Sequence, residues 1–159
     1  MAKVTTNKTG YCNGSDMLLL VGGKAVGHCT THTTTINSET RERAVKPLAS
    51  AGISSGLWKN KTVVALSVQI TFEGLCFYQE TESGYKEMLT AIKNGQSVAV
   101  KCMEREDSDV EYLSGNFVVS SLERTDPASD DASYSGTLDN DGEVTLDPTA
   151  ITETAPAQQ

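Results

Sequence analysis

The segment TVVALSVQITFE, residues 62–73, alternates without a fault. Val64, Leu66, Val68, Ile70 and Phe72 point one way, and Ala65, Ser67, Gln69, Thr71 and Glu73 point the other. Side chains on a β-strand project to opposite faces with a period of two, so the segment reads as a long strand with one buried and one wetter face. Such a strand also carries a row of backbone donors and acceptors along each edge, which has to be paired or covered. A chain containing it must build a sheet and must find something to close that sheet's borders.

The rest of the chain supplies further strands. Asp16–Val21 and Lys24–Ile36 flank Gly22-Gly23, a pair that provides the positive φ of a tight hairpin turn. In the second of these strands Val26, His28, Thr30, His32, Thr34 and Ile36 are expected on one face, with Gly27, Cys29, Thr31, Thr33 and Thr35 on the other. Ser97–Met103 reads as a strand, followed by the acidic turn EREDSD. Val110–Glu123 reads as strands interrupted at Gly115. Ala132–Leu138 and Glu143–Leu146 read as short strands around the turn Asp139-Asn140-Asp141-Gly142. The period changes once: in residues 83–94, Tyr85, Met88, Leu89 and Ile92 fall at i, i+3, i+4 and i+7, and Asn94-Gly95 is a helix stop. The class is mainly β, a sandwich or barrel with one flanking helix over about 83–94. At 159 residues the chain closes one core and no more. Residues 1–15 read as a polar N-terminal arm, 16–147 as the β domain, and 148–159 as a C-terminal tail. Within the domain, residues 37–57 form a long inter-strand loop; a connection beyond about 15 residues is usually functional.

Charge is unevenly placed. Residues 1–103 hold eleven Lys/Arg against seven Asp/Glu, a net +4, while residues 104–159 hold two against fourteen, a net −12. The acidic half argues against direct nucleic-acid binding, which uses cations to displace phosphate counterions. The first residues have no apolar core for a secretory signal, and no run approaches the roughly 18 apolar residues of a membrane span. Folding in a cytoplasm, with no membrane partner, is the expectation. Cys12, Cys29, Cys76 and Cys102 are widely spaced with no CxxC pair, so reduced, partly buried thiols are expected.

Several stretches look like chemistry and do not survive geometry. Gly23-Lys24 is followed by Ala25 and a strand, whereas a phosphate loop needs Ser or Thr there and a helix. His28 and His32 lie four residues apart on a strand, about 13 Å, too far to share a zinc bound at about 2.0–2.1 Å. LDNDGEVTLD has Thr137 and Pro148 where a calcium loop needs ligands. No Ser, His and Asp constellation or strained nucleophile elbow is present. The expectation is a protein without cofactor, metal or catalytic residues.

The order GKAVGHCTTHTTTINSETRER, a long loop, a tryptophan-bearing turn at Trp58, LSVQITFEGL, the helix YKEMLTAIKNGQ, the strand VAVK and the late pair SGNFVVSSLE and ASYSGTL resembles the major tail tube protein family of long-tailed (siphovirus-type) bacteriophages. The resemblance spans roughly residues 16–140. It implies a β-sandwich or barrel subunit, six of which form a ring, with rings stacked into a hollow tube that conducts genomic DNA from capsid to host. It also implies a tape measure protein inside the tube, tail terminator and distal tail proteins at its ends, transient non-specific passage of double-stranded DNA, assembly in the bacterial cytoplasm and a final place in the virion tail.

Under that resemblance the loop 37–57 would bridge rings, with Glu39, Arg41, Glu42, Arg43 and Lys46 supplying polar contacts. An acidic lumen would repel phosphate and stay slippery. Glu73, Glu104, Glu106 and Asp107 are the lumen candidates. Two alternatives share the fold class: the inner-tube protein of a contractile injection system, and a β-sandwich binding or adhesion module of a phage or bacterial surface. The module predicts an exposed aromatic platform, yet aromatics are 6% of residues and Trp58 is the sole tryptophan.

Overall fold

The computed structural model describes residues 10–11, 13–43, 59–77, 84–104 and 107–146. The elements are β1 (Met17–Val21), β2 (Lys24–Ala25), β3 (Cys29–Arg43), β4 (Asn60–Leu75), α1 (Gly84–Asn94), β5 (Val98–Glu104), β6 (Asp107–Thr125) and β7 (Ser133–Leu146). The strands form one antiparallel sheet in the order β2-β1-β5-β6-β7-β4-β3. Its two outermost strands, β2 and β3, are separated by three residues of chain. Laid flat, seven strands would hold them about 29 Å apart. Ala25 and Cys29 are four residues apart and reach at most about 14 Å. The sheet therefore rolls on itself. A front layer of β3, β4, β7 and the second half of β6 faces a back layer of β2, β1, β5 and the first half of β6. The Tyr134 hydroxyl, on an interior strand, anchors the short crossover by donating to the Gly27 carbonyl.

Between the layers lies the core, with Phe72, Phe117, Ile70, Met88, Leu113, Leu138, Val21 and Val100 fully buried. Two aromatic–glycine pairs lie across the β4–β7 seam on its core face. A Cβ on Gly136 would fall 2.5 Å from the Phe72 ring, and one on Gly74 would fall 2.4 Å from the Tyr134 ring. These residues are direct cross-strand partners, Phe72 opposite Gly136 and Tyr134 opposite Gly74. Each ring lies over a bare backbone, and β4 runs on through Gly74 to Leu75.

Helix α1 spans the expected residues and closes with the Gln96 N–H bonded to the Ala91 carbonyl and the Gly95 N–H to the Ile92 carbonyl. Gly95, at φ +64, permits this ending. Its buried residues are Met88 and Ala91, while Leu89 and Ile92 stay 42% and 39% exposed. The stripe read from the sequence therefore meets the core along one border only.

The structure differs from expectation in four places. The strand expected over Lys24–Ile36 breaks at His28, whose φ is +52, and a bulge follows between Cys29 and Thr31. His28 and His32 consequently leave the common face: His32, opposite buried Phe72, faces inward, while the His28 ring lies 4.5 Å from that of Phe77. Secondly, β3 continues to Arg43 by pairing with β4, so the first seven residues of the expected 37–57 connection are strand; residues 44–58 lie outside those described. Thirdly, β6 is one strand through Gly115, with a register shift against β7 between Gly115 and Phe117 in place of an interruption, and it begins at Asp107. Finally, β7 passes straight through Asp139–Gly142. There Asn140 Oδ1 accepts from the Val68 N–H and Asn140 Nδ2 donates to the Gly142 carbonyl, so the expected turn is a bulge held by one side chain.

Candidate assembly surfaces

Among the described residues, three surfaces of the subunit lack the partner their chemistry calls for. The first is an arm. β4 pairs with β7 only from Gln69 onward, and Val68 is still buried and bonded to Asn140, so Ile36–Arg43 and Asn60–Ser67 form a two-stranded ribbon that projects past the sandwich. A two-stranded hairpin is marginal in water on its own. The core-side face of β3 and β4 continues along this ribbon with no described residue over it: Ile36 is 55% exposed, Leu66 69% and Val63, brought to the same face by a register shift between Glu39 and Thr40, 55%. The polar residues expected at a ring contact are here, on strand rather than loop. Glu39, Arg41 and Arg43 stand opposite Ala65, Thr62 and Asn60. Glu42 sits on the other face between Lys59 and Lys61, at 3.2 and 3.3 Å. Lys46 lies outside the described residues.

The second surface is the outer face of the front layer. Cross-strand register aligns Thr31–Glu73–Ser135–Glu123, then Thr33–Thr71–Thr137–Ser121, then Thr35–Gln69–Asp139–Val118. These rows hold short hydroxyls and three carboxylates, and no Lys or Arg. Gln69 Nε2 donates to Asp139 Oδ1 at 3.0 Å. Of the acidic residues singled out in the sequence, Glu73 is on this face. Glu104 ends β5 and pairs in register with Asp107, at the β5–β6 turn in the back layer. Glu106 lies outside the described residues, and nothing is described of the Asp107 side chain. Glu123 and Asp139 join Glu73 through sheet order, which pairs strands far apart in the chain; periodicity alone gave no signal for them.

The third surface is a pair of borders. β5 pairs with β6 only as far as Phe117, so Val118–Thr125 is paired on its β7 side alone. At the opposite end of the front layer, β3 is paired on its β4 side alone. Four antiparallel strands put these two borders in opposite chain directions.

Between β1 and β3 lies a cleft of about 710 Å³, with His32 and Tyr112 among its lining. His32 Nε2 is 3.1 Å from the Tyr112 hydroxyl, which also hydrogen-bonds Cys102. Burial lowers the His32 pKa, so the ring is neutral at pH 7. Burial pushes the Cys102 thiol up to about 11 against the opposing pull of its bond to Tyr112. Burial, and next the neighbouring Cys102, raise Tyr112 as well. The Cys29 thiol is raised by burial too. These groups are held in their neutral forms, and a protonated thiol is a poor nucleophile. Among the described residues no three His, Cys, Asp or Glu are placed to hold a metal, and no helix is long and apolar enough to cross a membrane.

The fold has known counterparts. A chain from the virion of a native gene transfer agent particle superposes with a TM-score of 0.67 at 17% identity, covering 86% of this chain and 98% of that one. A chain of the SPP1 tail tube superposes at 0.60 with 15% identity, covering 85% and 78%. One from the sheath/tube terminator of an extracellular contractile injection system, PVC, superposes at 0.58 with 16% identity, covering 87% and 99%. At such identities these likenesses establish the fold alone. No curated protein matches the chain. The family model described as phage tail tube protein matches residues 11–146, nearly all of the β domain, and the chain belongs to that family.

Proposed function

We propose that six copies of this chain close into a ring and that rings stack into the hollow tube of a phage tail, through which double-stranded DNA passes. The observation that carries this reading is the pair of incomplete borders on the front layer. Because that layer has four antiparallel strands, Val118–Thr125 of one copy meets β3 of the next in the antiparallel sense, and the ring closes without a parallel seam. Six-fold symmetry is taken from the tail of the empty gene transfer agent particle, refined with C6 symmetry. Six four-stranded layers give a 24-stranded barrel with a circumference of about 115 Å, or about 37 Å across. Strand tilt near 40° widens this to about 48 Å. The Thr and Ser rows line such a bore with short side chains, and Glu73, Glu123 and Asp139 make it repel phosphate.

The arm reaches the adjacent ring. Its exposed Ile36, Val63 and Leu66 supply buried area, and Glu39, Arg41, Glu42 and Arg43, with Lys46 beyond the described strand, supply polar register. A tape measure protein inside the tube, a terminator and distal tail proteins at its ends, assembly in the bacterial cytoplasm and the absence of catalysis complete the reading. The inner tube of a contractile injection system is the second reading, favoured by the likeness to PVC tube components. Electron microscopy of the purified chain tests the proposal: hollow cylinders of six-fold section are expected, and a monomer at every concentration overturns it. A sheath protein that coats those cylinders would move the assignment to the second reading.

A further inference from the structure

We infer that helix α1 is a lateral docking element, whose Leu89 and Ile92 seat in the β1–β3 cleft of the next copy in the ring. The inference rests on the ring reading above and deepens it. Its first support is the position of α1. Continued backwards from Val98, β5 would run beside Val118–Thr125 of β6; instead the chain turns through Gly95 into the helix. Helix α1 packs on β6 and also on β1 and β5. Its last residue, Asn94, precedes Val98 by four positions, so the helix ends near the start of the β6 border that β5 leaves without a strand, the border that would meet β3 of the next copy.

Its second support is the shape of the facing border. Behind β3, the 710 Å³ cleft opens between β1 and the stretch from Cys29 to Thr34, with Met17, Leu18, Leu19 and Val26 in its lining. An eleven-residue helix is about 16 Å long. The five residue steps from Cys29 to Thr34 span about 17 Å. Leu89 and Ile92 lie one turn apart on α1, and each is about two-fifths exposed although Met88 and Ala91 beside them are buried. A pair of exposed aliphatic side chains on the helix and a cleft behind β3 whose lining mixes aliphatic with hydroxyl and imidazole groups give a head-to-tail contact its two halves, because each copy then presents both. The strand joint and the helix joint would form one continuous interface, the strand pairing towards the bore and the helix behind it.

Two measurements test this. A chain whose Cys12, Cys29 and Cys76 are replaced by serine, leaving only the buried Cys102, and which carries both Leu89→Cys and Thr30→Cys, is assembled and treated with a short bifunctional maleimide. A covalent ladder that passes the dimer and ends at the ring number is expected, with neither single variant giving it. A ladder that stops at the dimer, or tubes with no ladder, overturns the helix joint while leaving the tube reading intact. Failure of the unsubstituted chain to form rings or tubes overturns the tube reading and this contact together. Separately, Ile92→Asp should leave the melting temperature of the dissociated subunit unchanged. It should raise the concentration needed for assembly roughly tenfold or more. Assembly at the unsubstituted concentration overturns the inference.

Discussion

Replacing Leu66 by aspartate separates the stability of the subunit from the stability of the stack. Leu66 is 69% exposed on the arm, where β3 and β4 pair only with each other. Burying a whole leucine side chain is worth about 1.5–3 kcal/mol. The exposed fraction therefore represents about 1–2 kcal/mol per copy once an adjacent ring covers it. A ring of six loses this six times over, about 6–12 kcal/mol at each ring-to-ring joint, before the cost of desolvating the carboxylate. In the isolated subunit the same position touches little, and exposed substitutions stay within about 0.5 kcal/mol. Thermal melting of dilute Leu66→Asp should match the unsubstituted chain, while sedimentation velocity and negative-stain microscopy should show single rings and subunits without tubes. Tubes of ordinary length at ordinary concentration would refute the assignment of the arm to stacking. A subunit melting many degrees lower would show instead that Leu66 holds the fold.

Three other outcomes follow from the same geometry. Gly136→Ala places a Cβ 2.8 Å from the Ser121 carbonyl oxygen as well as against the Phe72 ring, and should cost about 3 kcal/mol in urea unfolding; a loss below 1 kcal/mol would mean the layers are not packed as described. His32, lowered by burial from its ordinary 6.5, binds its proton more readily when unfolded, so the subunit should keep full stability above pH 6.5 and lose it as pH falls from there toward the depressed folded value. His32→Gln should flatten that dependence between pH 7.5 and 5.5. Glu73→Lys with Glu123→Lys should make assembled tubes retain linear duplex DNA at low salt and release it as salt rises, whereas unsubstituted tubes retain none at any salt.

Much of the β domain was legible because its signals are local. Gly22-Gly23 turns where two positive φ values are needed, α1 begins and ends within a residue of the expected bounds, and Val68, Ile70 and Phe72 point into the core. What was not legible depends on partners distant in sequence. INSETRER carries no apolar alternation, and Asn37–Arg43 is strand only because β4 lies beside it. Asp139-Asn140-Asp141-Gly142 has turn composition, yet the Asn140 amide satisfies backbone on both sides and the strand goes on. The alternation over Leu66–Phe72 marked one face correctly but not where the sandwich stops covering it, which leaves Leu66 outside.

The acidic face shows the same limit more sharply. Glu73, Glu123 and Ser135 share one row although fifty residues separate the two glutamates, and only the sheet order reveals it. Glu104 belongs to an acidic run in sequence and to a different layer in space. Net charge thus gave the sign of the surface without its location.

Amide hydrogen exchange along the two borders of the front layer tests ring closure most directly. In assembled tubes, alternate backbone amides of Val118–Thr125 and of Thr30–Ile36, those directed away from β7 and β4, should exchange at least a hundredfold more slowly than in dissociated subunits, about 2.7 kcal/mol of added protection. Equal exchange of these amides in tube and subunit would mean that the copies do not join strand to strand.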